Sequence, residues 1–537
     1  PTQDTTLVMT LLQVFEAAVT QMVAGELTEG KPGYKVGSIK MKGKAEPTAV
    51  DIEAFFVFAL VWSIGASINE DGRVVFTEFL QKATKDVKFL VEHPLKEYFQ
   101  IRGWIAPGAE PDPEGTTHPN PYNKAEAAIK LEVPEKGLVH DYFYSPVDGR
   151  WREWASCLPK EEIPATAAFG DIIVPTVYTG QFDYLVHLLV TAERKVLVCG
   201  PTGVGKSVYM KRLLLKTLPK EIYVPVFVAF SARTSAKQTQ TIMEQKLERR
   251  RKGVFGPPSG QKCIIFVDDL NMPEIEKYGA QPPIELLRQF ADQGGWYDLA
   301  ENMFKLMEDA YLVAAMGPPG GGRNAVTARM LRHFNLLCFT DFNDDTMKHI
   351  FSTVMTWYMG KNPGFMGDVV AKGAAIVAGT LDVYKTASKG LRPTPAKSHY
   401  TFNLRDFSRV VEGLFMVTPE TAGSAAVFTR AWLHEVLRVF YDRLVTEDDR
   451  VWLLAQLKEL TRKHFGAEFD DLCGALIPMH PNKAPAGPPE KPGGKPGVTT
   501  EHLRVLMWGD YMQGPSSAPG AVRRYGEVDS TVTMVEN

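Results

Sequence analysis

Apolar positions along the 537-residue chain fall into two regimes. Over the first hundred residues they recur at near-helical spacing, at Leu7, Leu11, Leu12, Phe15 and Val19 and then at Ile52, Phe55, Phe56, Phe58 and Leu60, which predicts helices. The longest apolar stretch, Ala54 to Ile68, is interrupted by Ser63, Gly65 and Ser67 and is too short to span a bilayer comfortably, so it reads as a buried helix. A run of Pro, Gly, Thr and acidic residues from Pro107 to Pro121 has no periodicity and marks a loop or domain seam. His140 to Trp154 then alternates aromatics around Asp148-Gly149, the pattern of a β-hairpin. From Asp171 the regime changes. Short runs of continuous apolar character, Lys195–Cys199, Tyr223–Phe230, Cys263–Val267, Tyr311–Met316 and Asn335–Thr340, alternate with helical stretches. Such runs predict an α/β fold, a parallel sheet with helices on both faces. A helical block extends from about Asp344 to Leu472, and Pro481 to Gly497 reads as a flexible connection. No repeat of fixed period and no sustained heptad run is present.

Length suggests three or four domains' worth of chain. Sixty basic residues against 63 acidic ones leave a formal net charge of -3, so charge gives no reason to expect nucleic-acid or anionic-membrane binding. Cys157, Cys199, Cys263, Cys338 and Cys473 are widely spaced with no Cys-x-x-Cys pair, which points away from zinc and toward a reducing compartment. No signal-peptide pattern opens the chain. It starts at Pro1 rather than at Met, as a piece of a longer protein would.

Chemistry concentrates at Gly200-Pro201-Thr202-Gly203-Val204-Gly205-Lys206-Ser207, which fits G-x-x-x-x-G-K-[ST] at every fixed position. A predicted strand enters it, and Met210, Leu213, Leu214 and Leu218 line one face of a predicted helix after it. Glycines let backbone N–H groups turn toward phosphate oxygens, and the helix N-terminus adds partial positive charge. Lys206 is placed for the β- and γ-phosphates, and Ser207 for Mg²⁺. About sixty residues later, Cys263–Val267 runs into Asp268 and Asp269. Asp268 would hold Mg²⁺ and Asp269 would orient an attacking water as general base.

Longer tracts then narrow the class. FVDDLNMP (266–273), YGAQPPIELLRQ (278–289), GGWYD (294–298), AAMGPPGGGRN (314–324) and MLRHFN (330–335) resemble the third AAA+ module of a dynein heavy chain, the axonemal class fitting better than the cytoplasmic one. WSIGASINEDGRVVFTEFL (62–80) is similar to the end of the second module, and MWGDYM with RRYGEV (507–512, 523–528) to the start of the fourth. The resemblance implies a P-loop NTPase AAA+ module with helical subdomains. It divides the chain as follows: 1–135, the helical end of the preceding module; 136–165, a hairpin segment; 166–343, the large α/β subdomain; 344–473, the small helical subdomain; 474–499, a Pro/Gly-rich linker; and 500–537, the start of the next module.

The same resemblance assigns adenine contacts to Ile173, Val174 and Pro175 and a γ-phosphate-sensing role to Arg405. It assigns an arginine finger directed at the preceding module's nucleotide to Arg332, or else Arg329. It implies ATP or ADP and Mg²⁺ as cofactors and neighbouring AAA+ modules as partners. Intermediate chains, light chains and microtubules would be reached through other parts of the parent, with no nucleic acid or membrane, in the cytoplasm and the cytoskeleton of a cilium or flagellum. Two departures from the family pattern imply slow hydrolysis. Asp269 stands where a longer Glu is usual, and Gly317 stands where a polar side chain usually positions the water; Asn324, nearby, has nothing in the sequence to make it a substitute. The expected function is therefore a nucleotide-gated regulatory site supporting minus-end-directed motility. The alternatives are a self-contained remodelling-type ATPase and a structural ring segment holding ADP permanently.

Other signals are read more plainly. Ser67-x-Asn69-x-Asp71-Gly72 with Glu78 approximates an EF-hand calcium loop but lacks its first carboxylate, and a helix–turn–helix is preferred. The basic run KLERRRK (246–252) is expected to end a helix, where cations suit the dipole. His333 has no second ligand at metal spacing and is expected to pack, and Trp151 and Trp154 are expected to cover a neighbouring core.

Overall fold

The computed structural model describes residues 4–24, 34–36, 39–41, 48–85, 133–145, 148–158, 163–299, 302–320, 322–474, 485–488, 496–510 and 524–528. The seam expected at Pro107–Pro121 lies outside them, as does much of the connection expected at Pro481–Gly497. Two compact units form, Pro1–Lys160 with Pro175–Asp341, and Glu161–Val174 with Phe342–Asn537.

In the first unit, helix α1 (Asp4–Ala24) buries Thr10, Val14, Ala17, Ala18 and Gln21, spaced on one face. The stripe is rotated from the one expected, and Leu12 is half exposed. Helix α2 (Ala49–Ser63) starts at a capping box: the Thr48 hydroxyl accepts from the Asp51 N–H, and the Asp51 carboxylate accepts from the Thr48 N–H. The 18-residue window Val50–Ser67 has a mean hydropathy of 1.6 and is 61% buried, so by length and composition it could cross a membrane; in the fold it is a core helix packed on α1 and on the hairpin. Helix α3 (Glu70–Lys85) begins at Glu70, so Asp71, Gly72 and Glu78 are helical and the calcium-loop geometry is absent. Asn69 Oδ1 accepts instead from the Gly72 N–H at 3.0 Å.

The expected hairpin forms from Tyr142–Ser145 and Arg150–Glu153, with Gly149 at φ +61 supplying the left-handed turn residue. Trp154 follows it and is buried against Phe143 and Tyr184, with ring centroids at 4.7 and 5.3 Å, while Trp151 meets Tyr144 at 5.7 Å. Both tryptophans cover core, as their pattern implies.

The central sheet contains five strands, β1 (Val196–Cys199), β2 (Tyr223–Ala229), β3 (Lys262–Asp268), β4 (Ala310–Met316) and β5 (Asn335–Cys338). All pair in parallel in the order β5-β1-β4-β3-β2. Cys263–Val267 are essentially inaccessible, as expected of a strand covered on both sides. Because β1 lies between β4 and β5, its carboxyl end is a topological switch point, where ligand crevices form in such sheets. Helix α4 (Val177–Thr191) precedes β1 and helix α5 (Lys206–Arg212) follows it.

A second, four-stranded sheet was not anticipated: Gly295–Tyr297, Phe304–Met307, Val254–Gly256 and Glu248–Arg251, in that order. This corrects the reading of the basic run. The preceding helix stops at Glu244 and Glu248–Arg251 is a strand, whose Arg250 pairs with Asp309 and Arg251 with Glu308, both at 2.5 Å. Acidic partners across the sheet, and no helix dipole, offset those charges.

The second unit is helical. Its core gathers Phe407, Phe428, Trp432, Phe440 and Leu457 with Leu503, Leu506 and Trp508 from the far end of the chain. Two of its buried polar groups are matched: Trp432 Nε1 donates to Thr380 Oγ1 at 2.9 Å, and the fully buried Glu435 accepts from Arg438 and from the Tyr525 hydroxyl.

Candidate nucleotide-binding site

The loop Gly200–Ser207 leaves the end of β1 and wraps into the first turn of α5. Gly203 and Gly205 have φ of +95 and +81, which side-chain-bearing residues rarely adopt. Gly200 has a second reason to be glycine, since a Cβ there would stand 2.8 Å from the Phe339 carbonyl oxygen. Lys206 Nζ donates to the Gly200 and Pro201 carbonyls at 2.7 and 2.6 Å, so the ammonium is held within the loop. Burial lowers its pKa from the ordinary lysine value; Arg323 acts in the same sense, and Cys199, Asp269 and Asp268 oppose it.

Ser207 Oγ donates to Asp268 Oδ1 at 2.8 Å across 61 residues of chain. The same oxygen accepts from the Asp269 N–H at 3.1 Å. A hydroxyl and a carboxylate brought together beside a phosphate loop form an oxygen donor set suited to Mg²⁺, and the cradle of positive-φ glycines suits phosphates. The residues fit a nucleotide with its cation. Asp269 has φ +53, a left-handed backbone at a non-glycine residue, and its side chain is 49% exposed. Beneath the loop, a hydrogen bond from Cys338 on β5 lowers the Cys199 thiol below its ordinary value, whereas burial in β3 pushes Cys263 up to about 12.

Lys206, Ser207, Asp268 and Asp269 thus meet at one end of the sheet in the first unit, to which Pro175 also belongs. Ile173 and Val174 belong to the second unit, Val174 buried and Ile173 half-buried. Arg405, also in the second unit, is an exposed residue in the first turn of helix Leu404–Leu414, where its N–H donates to Asn403 Oδ1 at 2.9 Å. Arg332, at the end of the short helix Ala328–Leu331, donates to Asp292 at 2.8 Å with its side chain 53% exposed, and Arg329 is exposed. His333 packs beside that pair, 3.1 Å from Asp292, and among the described residues no cluster of metal-ligating side chains occurs. The Asn324 side-chain amide is engaged elsewhere, donating to the Pro273 carbonyl at 2.7 Å.

Sequence reasoning passed over Arg323. Its guanidinium lies 3.8 Å from Asp269 Oδ1 and directly over Gly317, where a Cβ would stand 2.8 Å from Nε. The one available signal was the Gly-Gly-Gly-Arg string, which permits a turn tight enough to bring the arginine back.

Three non-overlapping family models match the chain: "Dynein heavy chain AAA lid domain" over residues 1–156, "P-loop containing dynein motor region" over 161–342, and "Dynein heavy chain, ATPase lid domain" over 361–450. The chain is similar to Dynein axonemal heavy chain 12 of Mus musculus, with 45% identity over 86% of this chain and 14% of the relative. It is 39% identical to Dynein axonemal heavy chain 3 of Mus musculus over 87% of this chain and 10% of the relative. With Dynein axonemal heavy chain 1 of Mus musculus it shares 40% identity over 79% and 10%, respectively. It therefore spans a small part of the length of these relatives, 14% or less. A parallel sheet ending in a phosphate loop, helical regions that match dynein lids on either side, and relatives of one class agree: the chain belongs to the dynein heavy chain family, as part of the motor region of an axonemal heavy chain.

Proposed function

We propose that this chain carries the third AAA+ module of its heavy chain and binds ATP or ADP with Mg²⁺ at Gly200–Ser207, as a regulatory gate that hydrolyses slowly. The observation that carries the reading is the Ser207–Asp268 hydrogen bond, which joins the phosphate loop to the acidic end of β3. Loop N–H groups and Lys206 would hold the phosphates, while Ser207 and Asp268 would hold the cation, whose charge would offset that of the phosphate oxygens. Ile173, Val174 and Pro175 would line the adenine, Arg405 would sense the γ-phosphate, and Arg332, or else Arg329, would serve the preceding module. Slow turnover is supported by Asp269, which is a methylene shorter than glutamate, half exposed and set on a left-handed backbone. In the parent, nucleotide state here would bias neighbouring modules and so modulate movement on microtubules in an axoneme, through parts of the heavy chain and associated chains beyond this stretch.

Single-turnover hydrolysis by the full chain tests this directly. Exchangeable nucleotide and a rate far below the tens per second that efficient phosphoryl-transfer enzymes can reach, changed little by Asp269→Asn, is the expected result. A rate in that range that collapses in Asp269→Asn would sink the slow-gate reading, and ADP that cannot be exchanged would make the stretch a structural segment.

A further inference from the structure

Gly317, just after β4, has no side chain, and the space that a Cβ would take is filled. Arg323 returns to it through a tight turn in which Gly320 and Arg323 exchange backbone hydrogen bonds of 3.1 and 3.2 Å, with Gly320 and Gly322 at φ +117 and +86. Asn271 fastens the base of the turn: its side-chain amide donates to the Gly317 carbonyl at 2.8 Å, and its backbone carbonyl accepts from the Asn324 N–H at 3.0 Å. A Cβ on residue 317 would stand 2.8 Å from Arg323 Nε, 2.9 Å from Cζ and 3.0 Å from Cδ, so glycine there and arginine six residues later are complementary. Nη2 is 3.8 Å from Asp269, too long for a hydrogen bond, and Nε is buried with no partner among the described residues. A buried donor of a charged group without an acceptor is costly, and the same guanidinium is near enough to the loop for its charge to act on Lys206, which sets it within electrostatic reach of an anion seated there.

We propose that Arg323 reads the terminal phosphate of nucleotide bound in this loop, replacing from the same module the polar group that Gly317 lacks. The inference rests on the nucleotide reading of Gly200–Ser207. Its guanidinium bridges the third phosphate and Asp269, and so makes the site favour triphosphate over diphosphate.

Titration of the full chain with ADP and with a non-hydrolysable ATP analogue, both with Mg²⁺, tests it. Arg323→Ala is expected to weaken the analogue roughly ten-fold or more, the loss of a charge-assisted hydrogen bond, with ADP affinity unchanged. Arg323→Lys should recover part of the loss. Gly317→Ala, which keeps the arginine but pushes it aside, should give the same selective loss, with a thermal melt confirming the fold. Equal weakening of both nucleotides, or of neither, overturns the proposal. A wild-type chain that binds neither overturns the nucleotide reading itself, and this one with it.

Discussion

At the scale of residues, the site divides into what is local in the chain and what only folding brings together. The phosphate loop was legible because every part of it lies within eight consecutive positions, and its glycines are required by backbone geometry at Gly203 and Gly205 and by close approach at Gly200. The acidic pair was legible because it ends an apolar strand. Arg323 was not: its role depends on a turn at Gly320, on empty space at Gly317 and on Asp269 more than fifty positions away. The Ser207 hydroxyl supports a specific prediction. In Ser207→Ala the bond to Asp268 and one proposed cation ligand are lost together, so fluorescent-nucleotide affinity should fall roughly ten-fold with Mg²⁺ present and stay unchanged in chelator. An equal loss in both buffers would mean that the hydroxyl acts on the fold rather than on the cation.

At the scale of elements, apolar continuity identified all five strands of the parallel sheet to within a few residues, since each is buried and has little room for polar alternation. The small mixed sheet escaped for the opposite reason. Its strands are three or four residues long, and Glu248–Arg251 is charged along its whole length, held by cross-strand acids that no local pattern announces. Helix Leu404–Leu414 shows how one residue can fix an element. Asp406, almost fully buried, accepts from the Asn403 N–H at 3.0 Å, completing a capping box, and from Arg443 Nη2 at 2.6 Å. Asp406→Ala removes one half of the capping box and takes the carboxylate partner from the largely buried Arg443, which should cost about 3 kcal/mol in chemical denaturation. Adding Arg443→Met should restore part of that loss, because the stranded charge goes with it.

At the scale of the whole molecule, acid should destabilise the first unit through buried neutral histidines. Burial, with the Arg73 charge adding to it, brings His140 down to about 3, and burial alone brings His187 down to about 4. Both are uncharged in the fold at pH values where an unfolded histidine, near 6.5, takes up a proton. Stability is therefore unaffected by these groups above pH 6.5 and falls as pH drops from 6.5 toward 4 and 3, by about 1.4 kcal/mol per pH unit for each. Denaturation midpoints followed between pH 7.5 and 4.5 should hold level down to about pH 6.5 and fall below it, and His187→Leu should flatten that fall; a pH-independent midpoint would contradict the assignment. The same unit carries a different lesson in strand β5. That four-residue strand ends the sheet, and α1 and α2 pack against it, with Asn335 Nδ2 donating to Gln13 Oε1 at 2.8 Å. Residues similar to a dynein lid thus shield a flank of the sheet that would otherwise be open to pairing with another chain. A protein trimmed to the phosphate loop and its strands would keep every candidate ligand-binding residue of this unit and lose its protection against self-association, so the smallest soluble piece extends well beyond the smallest piece that contains the chemistry.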